Sequence, residues 1–145
     1  MSRSEDPYDL TRFVEAQAAD YSRALSELRA GAKRSHWMWY VFPQIDGLGQ
    51  SPMSRRYSIK SAAEAKAYLD HPTLGARLRE CFAVVYGTAG RSAREIFGSP
   101  DDLKLRSCAT LFESESDDPI FEQVLEKYFN GNRDEETLRL LRTGN

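Results

Sequence analysis

The chain has 145 residues, of which 41% are hydrophobic and 29% charged, and its formal net charge at pH 7 is −2. Length and composition are those of one ordinary globular domain and exclude a disordered or fibrous chain, and the slightly acidic balance excludes nucleic acid as the expected partner. No apolar run approaches the ~18 residues of a membrane span, and the N-terminal MSRSEDPYDL lacks the apolar centre of a signal peptide, so we expect a cytoplasmic protein that does not enter a membrane.

The first predicted element is a long helix near the N-terminus. Apolar residues between Leu10 and Leu28 recur at the i, i+3, i+4, i+7 spacing of one helical face. Asp9 is the candidate N-cap and Gly31 the candidate stop, because short polar side chains satisfy the first amides of a helix and glycine ends one at low cost. We therefore expect a helix of about 20 residues.

An aromatic segment follows, with the sequence SHWMWYVFPQ at residues 35–44. Ser35 is a candidate N-cap, and Pro43 ends the helix because proline has no backbone N–H. We call residues 35–42 the aromatic helix. Residues 43–58 are rich in Gly, Pro, Ser and Arg, so they are predicted to form one long loop, with RRYSI as a short extended piece.

Residues that typically begin or end helices recur as far as the C-terminus. Ser61 with Glu64, and Ser92 with Glu95, have the S-x-x-E spacing of a capping box. Proline in the first turn, acids near a helix start and Asn-Gly at a helix end mark the other boundaries. These boundaries are expected at His71-Pro72, Ser99-Pro100, Asp118-Pro119, Asn130-Gly131 and Asp134.

Together these signals predict an all-α fold. No segment has the convincing alternation of a strand, and no repeat, linker or low-complexity tract divides the chain. We therefore expect residues 1–145 to form a single compact domain of about seven to eight helices, with one long loop near residues 43–58. The first few and last few residues are expected to fray.

Charge is distributed unevenly along the chain. From Arg29 to Lys60 there are six basic residues and one acid, whereas from Glu95 to Glu136 there are twelve acids and four bases. The basic stretch contains the aromatic helix and the loop, so it would attract an anion if the fold keeps its bases together. The alternative, that these bases are separate solvated side chains, stays open.

Cysteine and histidine spacing does not indicate a metal site. Cys81 and Cys108 lie among apolar residues without CxxC spacing and are expected to be buried thiols. His36 and His71 have no partner at helical spacing, so we expect no metal, and without a P-loop or a G-x-G-x-x-G motif we expect no cofactor. His36 is a candidate catalytic residue because imidazole exchanges protons near neutral pH.

The aromatic helix has three interpretations. Its rings surround the helix rather than form one stripe, which is typical of a buried core element. Exposed rings would instead anchor a protein interaction module, although the oligomeric state stays open with a monomer favoured. In the third interpretation, rings and bases line a pocket for a small anionic or nucleotide-like ligand. The candidate ligand-binding residues are Lys33, Trp37, Trp39, Gln44, Arg55, Arg56 and Tyr57.

The chain resembles a known family. The segments HWMW-x-x-FPQ and S-x-x-S-x-x-Y, preceded by DLTRFVEAQ and followed by EAKAYLDHPTLGARL, are similar to the signature of an uncharacterised bacterial family of small, mostly helical proteins. The family is sometimes labelled calpastatin-like, and a mycobacterial conserved hypothetical protein is a solved example. The resemblance spans residues 6–142. It implies an α-helical, single-domain protein and implies no activity.

A second resemblance supplies a candidate chemistry. The stretch from Tyr57 to Ala65 and the C-terminal VLEKYFNGNRDEETLRLLRTGN look like segments of the N-glycosidases that act on ADP-ribose conjugates. This resemblance implies Glu64 as the catalytic carboxylate, which would stabilise an oxocarbenium-like transition state. Glu64 also has a structural explanation as the capping-box partner of Ser61. The later motif corresponds to Lys127, Phe129, Asn132, Leu141, Thr143 and Gly144.

Overall fold

Nine α-helices and no β-strand occur in residues 6–143, the part of the chain that the computed structural model describes. The predicted all-α fold is therefore confirmed. The number of helices exceeds the predicted seven to eight because one short helix lies inside the segment expected to be a loop. The helices are α1 (Thr11–Arg29), α2 (Met38–Val41), α3 (Pro52–Arg56), α4 (Ala62–Asp70), α5 (Leu74–Gly87), α6 (Ala93–Phe97), α7 (Asp101–Glu113), α8 (Ile120–Phe129) and α9 (Glu135–Thr143).

The core forms where α1 packs on α2 and α5, and where α7 packs on α8 and α9. Aromatic rings connect several of these helices. Phe13 meets Tyr68 edge to face at a centroid distance of 5.1 Å, and Phe82 meets Phe42 and Phe121 in the same way at 5.3 and 4.9 Å. Such pairs contribute about 0.5–1.5 kcal/mol each beyond the area they bury. The rings therefore join α1, α4, α5 and α8 in one hydrophobic core.

The start of α1 differs from the prediction. Its N-cap is Leu10, and Asp9 makes no capping bond but has a positive φ of 53°. The Asp6 carboxylate caps instead, because it accepts hydrogen bonds from the amides of Leu10 and Thr11 at 2.8 and 3.0 Å and from the Thr11 hydroxyl at 2.7 Å. At the other end, Gly31 has a φ of 73° and follows the helix as predicted.

The aromatic helix is shorter than predicted, since it spans only Met38–Val41 and Ser35 does not cap it. The Ser35 hydroxyl and amide donate to the Glu27 carboxylate at 2.6 and 3.0 Å. The Arg34 amide and the Trp37 indole N–H donate to the same carboxylate at 2.8 and 2.9 Å. Although burial opposes ionisation, these hydrogen bonds lower the pKa of Glu27 to about 2. A buried carboxylate thus orders the segment that precedes the helix.

Residues 43–58 do not form one long loop, which corrects the prediction. They contain α3 (Pro52–Arg56), whose N-cap is the Ser51 hydroxyl and whose first residue is a proline. Ile45 and Ile59 form an isolated parallel bridge at the two sides of this segment. The RRYSI piece is therefore helical in its first half and extended only near Ile59.

The predicted capping box of α4 is half formed. The Ser61 hydroxyl accepts a hydrogen bond from the Glu64 amide at 3.1 Å, as expected. The Glu64 carboxylate, however, accepts from the Lys60 amide at 3.0 Å and not from the Ser61 amide. Ser92 and Glu95 form the complete box, because each side chain bonds the other's backbone amide.

Helix α5 begins later than predicted, at Leu74 rather than at Pro72. The His71 Nδ1 accepts hydrogen bonds from the amides of Thr73 and Leu74 at 3.1 and 3.2 Å, as a capping side chain does. His71 therefore has a structural role at the start of this helix.

Candidate functional site

A cleft of about 380 Å³ lies where the N-terminal turn, the start of α1, the end of α3 and the start of α4 meet. Its walls carry three cationic side chains and two carboxylates. We call it the Arg56 cleft. Its lining residues are Pro7, Tyr8, Asp9, Arg12, Arg56, Lys60, Ser61 and Glu64.

Arg12 forms hydrogen bonds to the elements that surround the cleft. Its Nη2 donates to Glu64 Oε2 at 2.7 Å and to the Ser58 carbonyl at 2.8 Å, and its Nε donates to the Arg56 carbonyl at 2.9 Å. Its Nη1 donates to the carbonyls of Tyr8 and Asp9, both at 2.7 Å. Because all five guanidinium N–H groups have a protein partner, Arg12 connects the N-terminal turn, α3 and α4.

Glu64 forms the floor of the same cleft. Its side chain is 2% exposed, and its two oxygens accept from Arg12 and from the Lys60 amide. The ion pair with Arg12 compensates the buried negative charge, so this carboxylate does not repel an anion as an isolated one would. Glu64 therefore has a structural partner on each oxygen.

Arg56 and Lys60 are the exposed cations of the cleft. The Arg56 guanidinium lies over the Tyr57 ring, 5.4 Å from its centroid, and its Nε donates to the Tyr57 hydroxyl at 3.2 Å. This hydrogen bond raises the pKa of Arg56. The Lys60 ammonium donates to the Ser58 hydroxyl at 2.5 Å and to the Arg55 carbonyl at 3.0 Å, and it pairs with the Asp46 carboxylate at 3.5 Å. Both cations are thus held near the start of α4, whose helix dipole also favours negative charge.

Lys33 and Trp37, two predicted ligand-binding residues, lie in a different place. The Lys33 side chain is 8% exposed and pairs with Asp101 at 3.0 Å, with its ammonium 5.1 Å from the Trp37 ring centroid. Trp37 is fully buried and donates to Glu27. Neither residue lines the Arg56 cleft.

The other rings of the aromatic helix are also mostly internal. Tyr40 and Phe42 are buried, and Trp39 is half-buried with the Lys104 ammonium 5.6 Å from its ring centroid. Tyr57 is buried too, 5.1 Å from Tyr40 between ring centroids. The aromatic helix therefore presents no row of exposed rings in the described chain, which removes the anchors expected for an interaction module.

The remaining predicted residues are dispersed. His36 is exposed, and its carbonyl accepts from the Tyr40 hydroxyl at 3.3 Å. Gln44 is half-buried and contributes its carbonyl to the Ile59 amide at 2.8 Å. Arg55 donates to Gln50 at 3.1 Å and does not line the cleft. The structure therefore brings Arg56 and Glu64 together in one cleft, with Tyr57 behind Arg56.

Sequence reasoning missed Arg12 and Lys60 as parts of this site. Arg12 carries one indirect signal, since a base in the first turn of a helix opposes the helix dipole and so indicates a partner elsewhere. The local sequence pattern does not identify Glu64 as that partner, because the two residues are 52 positions apart.

The later segment of the glycosidase resemblance lies elsewhere in the fold. The Lys127 ammonium donates to the carbonyls of Tyr86 and Thr88 at the end of α5, at 2.5 and 2.6 Å. Phe129 and Leu141 pack against the core, and Gly144 lies outside the described residues. None of the described residues of this segment lines the Arg56 cleft.

Residues 6–143 contain neither a metal-binding cluster nor a membrane-spanning helix. No group of three or more His, Cys, Asp or Glu side chains in this range could hold a metal ion, and no helix there is long and apolar enough to cross a membrane. Cys81 and Cys108 are buried and unpaired, as predicted. Burial raises the pKa of the Cys81 thiol to about 12 and that of Cys108 well above its usual value.

Residues 7–141 match the model of a family described as proteins of unknown function, DUF1810. The chain belongs to this family. It is also similar to the crystal structure of the conserved hypothetical protein Rv1873 from Mycobacterium tuberculosis, with 54% sequence identity and a TM-score of 0.93 over 94% of this chain and 99% of that one. No curated protein matches the chain. Neither description states an activity, so the family resemblance is confirmed and the function is unknown.

Proposed function

We propose that this DUF1810 protein binds a small anionic ligand in the Arg56 cleft. The observation that carries the proposal is the convergence of Arg56, Lys60 and the start of α4 on one cleft of about 380 Å³. This replaces the predicted location beside the aromatic helix, which contributes no residue to the cleft.

Arg56 is suited to contact the anion. Its Nε is held by the Tyr57 hydroxyl and its guanidinium lies over the Tyr57 ring. Within the described chain, no hydrogen-bond acceptor contacts its Nη atoms, so these donors are available for a bidentate contact with a phosphate or carboxylate. A stacked guanidinium also loses less freedom on binding than a mobile one.

The balance of charge in the cleft supports the same conclusion. Arg12 and Glu64 neutralise each other in a buried pair. Asp9 is the remaining carboxylate of the lining, against the two exposed cations Arg56 and Lys60. Lys60 pairs with Asp46 at 3.5 Å, whereas no carboxylate of the described residues forms an ion pair with Arg56, so Arg56 is the cation of the cleft that favours an anion.

Calorimetric titration with inorganic phosphate and pyrophosphate tests the proposal. We expect binding that raises the melting temperature, because a ligand of the folded state stabilises it. Arg56→Ala should weaken binding roughly tenfold or more, since it removes a charge-assisted contact. Arg55→Ala is the matched control, because Arg55 is the neighbouring exposed arginine outside the cleft. Equal weakening by both variants would contradict the site, as would no binding by the wild type.

A second candidate function is hydrolysis of an N-glycosidic bond, with Glu64 as the carboxylate. Its support is that Glu64 lies in the same cleft as Arg56, so a phosphate held there would bring a sugar near a carboxylate. Incubation with ADP-ribosylated substrates should then release ADP-ribose, and Glu64→Gln should abolish the release. A wild type that releases none contradicts this activity, and release that survives Glu64→Gln removes the role of Glu64.

We also propose the cytoplasm as the compartment. The support is that both cysteines are unpaired and buried. Unpaired thiols are typical of reducing compartments. Fractionation of cells with an antibody against the protein tests the location, and recovery in an exported fraction would contradict it.

A further inference from the structure

A second and larger cleft, of about 580 Å³, adjoins the Arg56 cleft. The two clefts share Pro7 and Tyr8 of the N-terminal turn as lining residues. We call the second one the Val14 cleft. Its lining residues are Asp6, Pro7, Tyr8, Leu10, Thr11, Val14, Ala67 and His71.

The two clefts follow one stripe of α4. Ser61 and Glu64 line the Arg56 cleft, whereas Ala67 and His71 line the Val14 cleft. Positions three or four apart lie on the same helical face. With a rise of 1.5 Å per residue, Ser61 and Ala67 are separated by roughly 9 Å along the helix. The two clefts are therefore neighbours along α4, with Pro7 and Tyr8 in the lining of both.

The Val14 cleft offers mainly apolar walls. Its acidic residue, Asp6, already accepts three hydrogen bonds from Leu10 and Thr11. The His71 Nδ1 already accepts from the amides that begin α5. Asp6 and the His71 Nδ1 thus have protein partners, and the lining consists mainly of aliphatic groups and the rings of Tyr8 and His71.

From this juxtaposition we propose that the ligand is an organic phosphate monoester whose phosphate contacts Arg56, beside Lys60, and whose apolar or aromatic body occupies the Val14 cleft. The inference rests on the proposed function and names its ligand class. A phosphate presents two oxygens that suit a bidentate contact with the guanidinium of Arg56. The rise of roughly 9 Å along α4 from Ser61 to Ala67 is comparable with the length of a mononucleotide or of an alkyl or aryl phosphate.

Calorimetry with a ligand series tests the inference. The series is inorganic phosphate, butyl phosphate, hexyl phosphate, phenyl phosphate and adenosine 5′-monophosphate. Each methylene that enters the apolar cleft should tighten binding roughly fourfold, since burial of a methylene group stabilises to that extent. Hexyl and phenyl phosphate should therefore bind at least tenfold more tightly than inorganic phosphate. A preference for adenosine monophosphate over hexyl phosphate would assign a nucleoside body, and the reverse an aliphatic body.

Two variants of α4 locate the body of the ligand. Ala67→Leu fills the Val14 cleft, and Ala63→Leu is its matched control because Ala63 is exposed on the same helix and lines neither cleft. Val14→Thr changes the cleft wall at almost constant volume, and it keeps the test valid if Ala67→Leu perturbs folding. Ala67→Leu and Val14→Thr should reduce the increase in affinity that the organic body gives over inorganic phosphate, whereas Ala63→Leu should not. All three should bind inorganic phosphate as the wild type does.

The outcomes separate the two proposals. The ligand class is wrong, and the anion site stands, if phosphate monoesters bind through Arg56 but no more tightly than inorganic phosphate. The same conclusion follows if the organic body increases the affinity but the increase survives both Ala67→Leu and Val14→Thr. If phosphate monoesters bind equally well to Arg56→Ala, the proposed function is wrong. If no member of the series binds, both proposals are overturned.

Discussion

Arg12 donates to Glu64 at 2.7 Å in an ion pair whose side chains are 10% and 2% exposed. The pair joins the first turn of α1 to the first turn of α4. Because Arg12 also binds the carbonyls of Arg56 and Ser58, it sets the position of the backbone that carries the exposed cations. The stability of the fold and the shape of the candidate site therefore depend on the same guanidinium.

Arg12→Ala should destabilise the protein by about 3–5 kcal/mol, because it leaves the Glu64 carboxylate buried without its partner. Urea denaturation at pH 7 measures the change. Arg23→Ala is the control, since Arg23 is mostly exposed, pairs with Asp20 at 3.6 Å and should change stability by less than about 1 kcal/mol. Similar losses in both variants would show that the buried pair has no special role.

Glu27→Gln should destabilise the protein by about 2–4 kcal/mol at pH 7, because the amide cannot accept all the hydrogen bonds that the carboxylate accepts. Tryptophan fluorescence reports the transition through the buried Trp37, which donates to Glu27. An unchanged unfolding midpoint would contradict the role given to this carboxylate.

The same carboxylate predicts a pH dependence. The pKa of Glu27 is about 2 in the folded protein, against 4.5 as the ordinary value. A lowered folded-state pKa gives stability that is complete above the ordinary value and is lost as the pH falls toward the folded value. The difference in unfolding free energy between wild type and Glu27→Gln should therefore shrink between pH 4.5 and pH 2. A difference that is constant over this range would be inconsistent with the hydrogen-bond arrangement.

Cys81 and Cys108 should react slowly with a thiol reagent in the native protein. Burial raises the pKa of both thiols, to about 12 for Cys81, so little thiolate is present at pH 8 and access is blocked. Denaturation in urea should expose both of the chain's two cysteines to fast labelling. Rapid labelling of either one without denaturant would contradict the burial described here.

Two glycines of α5 should respond to alanine in opposite directions. An added Cβ at Gly75 would lie 2.1 Å from the Leu69 carbonyl oxygen, whereas one at Gly87 meets nothing within 4 Å. We expect Gly75→Ala to cost about 2 kcal/mol or more, because backbone must move. Gly87→Ala should be neutral or stabilising by up to about 1 kcal/mol through helix propensity. Thermal denaturation of both variants measures the contrast, and equal melting temperatures would refute it.

Local chemistry explains which elements could be predicted. The Ser92 and Glu95 box forms as expected, and Asn130 and Gly131 end α8 with φ values of 55° and 77°. These features need only neighbouring residues. Predictions were wrong where a side chain bonds a group outside its local pattern. Ser35 donates to Glu27 and does not cap the aromatic helix.

The sequence by itself determined the helical class, most helix ends and the basic character of the stretch around the candidate site, because each depends on local propensity and composition. The tertiary structure decided which residues meet. Arg12 and Glu64 are 52 positions apart, and Trp37 became a core residue because Glu27, ten positions earlier, accepts its indole N–H. Long-range pairs depend on how helices pack and on which buried polar groups need partners. The periodicity of a single segment predicts neither of these.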